Sequence, residues 1–191
     1  MRRPYHHGDL REAILRRAMV KIETDGLAAL SLRDLARECG VSPSAPQKHF
    51  ATKQDLLTAL AVRGYDELAD TLRDSATDGP VDKALTKFGQ AYVAYVIEHP
   101  GLLQLMYDRR FDEGTNSVAE AATRAYAPID EVLDRARARG EVVGNRKTVA
   151  TFVQVLLHGL ASSVSSGALG AADHAVVRQV VNVSLSGLRP R

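Results

Sequence analysis

A short polar stretch, GVSPSAPQKHF at residues 40–50, carries side chains that could form hydrogen bonds with a nucleic acid. Glutamine can pair with an adenine, lysine can donate to a guanine, and serine can serve several bases. Hydroxyls at helix starts also lie where backbone N–H groups bind phosphate. Taken singly, each such residue is more often an ordinary solvated side chain. The candidate contacts are Ser31, Ser42, Ser44, Gln47, Lys48, His49 and Lys53.

Two predicted helices precede this stretch and would position it. Apolar residues recur at spacings of three and four over residues 10–22, which predicts an amphipathic helix that Gly26 ends. Ser31 predicts the N-cap of a second helix, with Asp34 three residues later as a variant of the capping box. Gly40 ends this second helix, so a tight turn leads into the polar stretch.

A third, shorter helix is predicted within the polar stretch itself. Ser42 is expected to cap it, with Pro43 at its first position, where the missing N–H costs nothing. Pro46 falls where a backbone donor begins to be needed, so the early part of this helix is expected to be irregular or 3₁₀-like. Phe50 is expected to anchor its end in the core, and Thr52 then caps a long helix.

Three short helices joined in this way suit a helix-turn-helix. The charge distribution agrees, because residues 1–65 contain eleven Lys/Arg against seven acids, while the rest of the chain has more acids than bases. A basic first third indicates a polyanionic partner. We expect Arg2 and Arg3 to lie along DNA in an N-terminal arm. Cys39 is the only cysteine, and we interpret it as a packing thiol because no second cysteine supports a metal or redox role.

The fold class predicted for the whole chain is all-α. The stretch TDGP at residues 77–80 is the clearest hinge, and beyond it the helical pattern continues, with one helix kinked or broken at Pro128. We predict a three-helix DNA-binding domain with its arm over residues 1–55. A larger helical domain for ligand binding and dimerisation is predicted over residues 56–191.

The stretch from residue 8 to residue 60 resembles the DNA-binding domain of the TetR family of bacterial transcriptional regulators. The residues that carry the resemblance are Ile14, Ala18, Gly26, Ser31–Arg33, Leu35–Ala36, Gly40–Ser42, His49–Phe50, Lys53 and Leu56–Leu57. The resemblance implies a homodimer, a palindromic operator, and repression relieved by a small ligand. It adds Arg33 and Ala45 to the expected contacts. Gln47 stands where family members usually have a tyrosine, so Gln47 could donate to a phosphate or pair with a base.

The second half of the chain, through YVAYVIEHPGLLQLMY and LLHGLASSVSSGAL, resembles a ligand-binding subclass of the same family. Apolar stripes on its last two helices suit a four-helix interface with a second copy, although a monomer core would use the same stripes. The resemblance favours the dimer. The predicted interface residues are Phe152, Val155, His158, Val177, Val181 and Leu185.

Aromatic and soft side chains concentrate between residues 88 and 126. A pocket lined in this way would be apolar with a few hydroxyl groups and would suit an apolar or aromatic molecule. Ordinary core packing is the alternative for each residue taken singly. The candidate ligand contacts are Phe88, Tyr92, Tyr95, Met106, Tyr107, Phe111 and Tyr126.

Enzymatic function is not predicted, because the sequence has no nucleophile elbow, phosphate loop or zinc-ligand spacing. Neither a cofactor nor a metal is expected, since His6 and His7 lack a third ligand. No apolar run is expected to reach the length needed to span a membrane, which predicts a cytoplasmic protein. A DNA-binding structural or cell-cycle factor on the same fold is the alternative function; it needs no ligand, and a filled C-terminal cavity would favour it.

Overall fold

The computed structural model describes residues 7–76, 78–108, 116–169 and 174–189, and every regular element in this part of the chain is a helix. This confirms the all-α fold. Two short 3₁₀ helices span Leu27–Ala29 and Ala45–Lys48. The α-helices are α1 His7–Asp25, α2 Leu32–Glu38, α3 Lys53–Ser75, α4 Val81–Glu98, α5 Pro100–Met106, α6 Asn116–Ala138, α7 Arg146–Ser165 and α8 His174–Ser186.

The chain forms two compact units. The first comprises Met1–Gly64 and His99–Glu120, and the second comprises Tyr65–Glu98 and Ala121–Arg191. The functional division at residue 55 stays a prediction. Helix α6 continues through Pro128, so the chain is not broken there.

The turn that ends α2 depends on the backbone conformation of one glycine. Gly40 has a φ of 70°, in the left-handed region that favours glycine. Its N–H donates to Arg37 O at 3.0 Å, and the N–H of Val41 donates to Ala36 O at 3.0 Å. This pair of bonds is the Schellman motif, which satisfies the last carbonyl groups of the helix. The turn therefore fixes the direction in which the chain leaves α2.

Helix α5 packs into the first unit, against the end of α1. At the start of α5, the two carboxylate oxygens of Glu23 accept backbone hydrogen bonds from Gly101 N and Leu102 N, at 2.8 Å each. Two glycines permit close approaches around this helix. A Cβ at Gly101 would lie 2.8 Å from Ile22 O, and a Cβ at Gly64 would lie 2.8 Å from Met106 Sδ. At Gly101 the packing against backbone therefore excludes a larger residue, whereas at Gly64 the side chains of Met106 and Leu102 would have to shift.

In the second unit, α4 packs against both α7 and α8. A Cβ at Gly89 would lie 2.8 Å from Val177 Cγ1 and 3.2 Å from Leu157 Cδ2, so the three helices meet closely at this glycine. The unit is held further by Glu141, which accepts a hydrogen bond from the first backbone N–H of α4, at Val81, over 2.8 Å.

Helix α7 is long and apolar enough, by length and composition alone, to cross a membrane, with a mean hydropathy of 1.3. The expectation that no such run exists is therefore wrong. The helix has an apolar side, including Val149, Val153 and Leu157, that is buried in the second unit, and it packs on α4. A core helix meets the same length and composition criterion.

We predict that Gly101→Ala destabilises the protein by about 1–3 kcal/mol, because the added methyl group meets the carbonyl oxygen of Ile22 and backbone cannot easily move aside. The matched control is Gly187→Ala, where the nearest atom to an added Cβ, Ser184 O, lies at 3.7 Å, an ordinary van der Waals distance. Urea unfolding of the two variants measures the difference. Equal stabilities would contradict the close approach at Gly101.

Candidate nucleic-acid interface

The Ser42–Phe50 segment is a β-turn followed by one 3₁₀ turn, not the capped helix predicted from Ser42. The N–H of Ala45 donates to Ser42 O at 3.0 Å, and Ser44 has φ −88° and ψ −13°. These values, with Pro43 second in the turn, fit a type I β-turn. The 3₁₀ helix therefore starts after Ser44, which makes no side-chain cap bond, and Ser42 Oγ instead lies 3.3 Å from Ser44 Oγ. The predicted 3₁₀ character around Pro46 is confirmed.

Two buried side chains hold this segment to the first unit. Pro46 is buried, and Phe50 is only 2% exposed. The N–H groups of His49 and Phe50 both donate to Pro46 O at 2.9 Å, which closes the turn between these two anchors. The residues between the anchors therefore have a fixed orientation.

Gln47 and Lys48 are the long exposed side chains between the anchors. A 3₁₀ helix has three residues per turn, so side chains three positions apart share a direction. Pro46 points inward, so Gln47 and Lys48 both point away from the core. Ser44 and Ala45 lie three positions earlier and share the directions of Gln47 and Lys48. The outward surface therefore carries an amide, an ammonium group, a hydroxyl and a methyl group, and each can contact a base edge.

Hydroxyl caps frame this surface as predicted from the sequence. Ser31 Oγ accepts from Asp34 N at 3.4 Å at the start of α2. At the start of α3, Thr52 and Asp55 cap each other: Asp55 N donates to Thr52 Oγ1 at 3.1 Å, and Thr52 N donates to Asp55 Oδ2 at 2.8 Å. Lys53 is the first residue of α3 and is exposed.

The positive charges of the first unit fall into two groups. Arg16 pairs with Glu12, and Lys21 pairs with Asp25 at 2.9 Å, so these charges are neutralised locally. Within the described residues, Arg33, Lys48 and Lys53 form no ion pair, and all three are exposed. These three cations are therefore available to meet phosphate, and Arg11 and Arg17 on α1 are likewise exposed and without an ion pair among the described residues.

Arg11 is a residue that sequence reasoning missed. Its guanidinium carbon lies 5.4 Å from the centroid of the Phe50 ring, within the range of a cation–π contact. The side chain is exposed, so it places a positive charge directly over the anchor of the Ser42–Phe50 segment. No spacing rule relates residues this far apart. The expected contacts Arg2 and Arg3 lie outside the described residues.

The predicted ligand contacts do not all belong to one unit. Phe88, Tyr92, Tyr95 and Tyr126 lie in the second unit, where all four are buried, whereas Met106 and Tyr107 lie in the first. Phe111 lies outside the described residues. The ligand-binding role of this set stays a prediction.

A chain of polar contacts runs through the buried aromatic residues of the second unit. Tyr92 Oη lies 3.4 Å from Tyr126 Oη and 3.1 Å from His158 Nδ1. On the other side of the ring, His158 Nε2 lies 3.4 Å from Ser162 Oγ. Burial lowers the pKa of His158 below its ordinary value, so the neutral imidazole is favoured there.

The predicted dimer residues divide by exposure. Val177, Val181 and Leu185 are buried within the second unit of a single chain. Phe152 and Val155 on α7 are exposed, at 40% and 64%. The first three therefore form part of the protomer's own core, and the role of the set in an interface stays a prediction.

Comparison with known proteins decides the family. The family model described as "Bacterial regulatory proteins, tetR family" matches residues 14–60. The family model described as "Tetracyclin repressor-like, C-terminal domain" matches residues 85–183, and this range alone is more than half of the chain. The chain belongs to the TetR family. The resemblance noted in the sequence is thus confirmed. The family and its relatives are transcriptional regulators, which agrees with the prediction that the chain is not an enzyme.

Curated relatives match part of the chain. The uncharacterized HTH-type transcriptional regulator YobS of Bacillus subtilis is 31% identical over 98 residues, 51% of each protein. The HTH-type transcriptional regulator Rv1816 of Mycobacterium tuberculosis is 28% identical over 124 residues, 61% of this chain and 53% of the relative. The chain spans about half the length of these relatives.

Solved structures match nearly the whole chain. A protein of unknown function from Rhodococcus sp. RHA1 is 34% identical, with a TM-score of 0.89 over 99% of this chain and 100% of that one. The TetR family transcriptional regulator PfmR from Thermus thermophilus has a TM-score of 0.71 over 93% of this chain and 99% of that one. At 20% identity, this second likeness concerns the fold alone.

We predict that the half-buried side chain of His158 makes the protein sensitive to acid. Because the folded-state pKa of His158 lies below its ordinary value of 6.5, the unfolded chain binds a proton first as the pH falls. Stability is therefore lost progressively below a pH of about 6.5, until the pH passes the folded-state pKa.

The variant His158→Gln should lose less stability than the wild type between pH values of about 7.5 and 5.5, measured by urea unfolding at each pH. His49→Gln in the first unit controls for the removal of a histidine. An unchanged pH dependence in His158→Gln would contradict the assignment of this effect to His158.

Proposed function

We propose that this chain is a sequence-specific DNA-binding transcriptional regulator, a homodimeric repressor that a small ligand releases from a palindromic operator. One observation carries the DNA-binding part: Gln47 and Lys48 project outward between the buried anchors Pro46 and Phe50. A rigid pair of this kind can contact base edges, while Arg33 and Lys53 beside it suit phosphates.

The homodimer is supported by an exposed apolar surface on the last two helices. Phe152 and Val155 on α7 and Val183 on α8 are large apolar side chains left exposed in the single chain. Gly159 on α7 has open space around it, so another helix could approach closely there. A second copy covering this surface would form a twofold interface and would require an inverted repeat in the DNA.

The regulatory and cellular parts of the proposal rest on the family and on the second unit. A small apolar or aromatic effector held in that unit would weaken DNA binding by favouring a conformation that fits the operator less well. A cytoplasmic location follows from a DNA partner.

The tight burial of Phe88 and Tyr92 favours one alternative. Both side chains are 0% exposed, as expected of a filled core. A DNA-binding structural or cell-cycle factor on the same fold, which needs no effector, would have such a core. The two functions differ in whether any small molecule weakens specific binding.

Selection of bound sequences from a random duplex pool, at near-physiological salt, tests the DNA-binding proposal. An enriched inverted repeat supports a dimeric, sequence-specific regulator. Failure of the folded protein to enrich any sequence would contradict it.

We predict that two lysines contribute in different ways. Lys48→Ala should relax sequence preference at one position of the site, at a cost of about 1–3 kcal/mol on the preferred sequence, because Lys48 can donate to a guanine. Lys53→Ala should weaken specific and random DNA alike and reduce the salt slope by about 1, because Lys53 contacts phosphate.

The measurement is a titration of each variant with the selected site and with a random duplex at several salt concentrations. Lys83→Ala, an exposed cation in the second unit, is the matched control and should change neither quantity. Equal losses on both duplexes for Lys48→Ala would contradict its role in contacting a base.

A further inference from the structure

We propose that the groove between α6 and α7 binds a small amphipathic anion, a carboxylate on an apolar body, and that this molecule is the effector. The inference rests on the proposed function, since it names the class of ligand that would release the DNA. The groove lies wholly in the second unit and shares only Tyr126 with the contacts predicted from the sequence.

The size and floor of the groove suit a small molecule with an apolar body. Its volume is about 450 Å³, within the range of roughly 300–1,000 Å³ found for small-molecule sites. Ala122, Tyr126 and Ile129 line it from α6, and Ala150 lines it from α7. The two alanines have small side chains, so they leave room in the groove for an apolar body.

Among the residues that line the groove, one charged side chain is left to pair with an anion. Arg146 donates to both carboxylate oxygens of Asp134, at 2.8 and 3.0 Å, and lies 3.8 Å from Asp130. Its hydrogen bond holds the pKa of Asp134 below the ordinary value, so this pair is fully charged and mutually neutralised. Lys147 also lines the groove, and within the described residues it forms no ion pair. Asp130 lines the groove as well and lies next to Arg146, so Lys147 is the lining charge that is left to pair with an anion.

The end of helix α7 reinforces this charge. Arg146 and Lys147 are the first two residues of a 20-residue helix, at the end where the helix dipole is positive. Thr151 and Gln154, one and two turns further along α7, also line the groove and can donate hydrogen bonds to a carboxylate. A carboxylate near Lys147 and an apolar body over Tyr126 would thus satisfy both ends of the groove.

Tyr126 connects the groove to the interior of the unit. This residue lines the groove, while its hydroxyl lies 3.4 Å from Tyr92 Oη, which in turn contacts His158. A ligand that moves the Tyr126 ring would disturb the buried polar contacts between α6, α4 and α7. By contrast, a ligand at Phe88 or Tyr92 would first have to displace fully buried side chains.

The first test compares two molecules of the same shape and different charge, naphthalene-2-carboxylate and naphthalene-2-carboxamide, by isothermal titration calorimetry on the full chain. We expect the carboxylate to bind about tenfold more tightly than the amide. In Lys147→Gln this preference should fall to about threefold or less. Lys87→Gln, an exposed cation of α4 that does not line the groove, is the control and should keep the preference.

The second test fills the groove. Ala150→Phe should abolish binding of both molecules, whereas Ala138→Phe, at the exposed end of α6 and outside the groove, should not. Thermal melting checks that both variants remain folded. Equal binding of carboxylate and amide, unchanged binding in Ala150→Phe, or no binding of either molecule up to about 1 mM would overturn the site.

Titration with the selected DNA separates this inference from the proposed function. Weaker DNA binding in the presence of the carboxylate, lost in Lys147→Gln, supports the effector role. Binding to the groove without any effect on DNA affinity overturns that role. Failure of the ligand tests with specific DNA binding intact overturns the groove alone, whereas absence of specific DNA binding in the wild type overturns the proposed function.

Discussion

The burial of Pro46 and Phe50 is the constraint on which the candidate interface depends. One turn of 3₁₀ helix separates the two side chains, and both are held in the core of the first unit. A segment this short cannot rotate without removing one anchor from the core, and exposing a buried phenylalanine costs roughly 1.5–3 kcal/mol. The directions of Gln47 and Lys48 are therefore set by apolar packing behind them. The arrangement of the exposed polar side chains thus depends on the packing of the buried ones beneath them.

A second constraint concerns how the chain divides. Residues 99–120 lie within the stretch that matches the family's C-terminal domain, yet they belong to the first compact unit. Two backbone hydrogen bonds to Glu23 and the close approach at Gly101 hold α5 there. Helix α4 of the second unit is joined to α5 through His99 alone. The boundary between the two family domains in the sequence is therefore not the boundary of packing.

Much of the fold could be predicted from local rules, and the exceptions have local causes. Helix periodicity, the caps at Ser31 and Thr52 and the stop at Gly40 each depend on residues a few positions apart, and the structure contains all of them. The start of the third helix was predicted wrongly, because Pro43 suits both the first turn of a helix and the second position of a type I turn. Only the φ and ψ of Ser44 separate these two outcomes.

Sites that depend on contacts across the fold were beyond the sequence. An aromatic residue in the core and one that lines a groove look alike in a sequence. Phe88 and Tyr126 could therefore not be distinguished, although the structure buries Phe88 fully and places Tyr126 at the lining of a groove. The sequence is equally unable to show which charged side chains form ion pairs. Arg146 and Lys147 are adjacent in sequence and equally basic, but Asp134, twelve residues before Arg146, neutralises only the arginine. Which of the two cations is paired depends on where α6 and α7 lie in the fold, because that placement brings Asp134 to Arg146 and leaves Lys147 without an ion pair among the described residues.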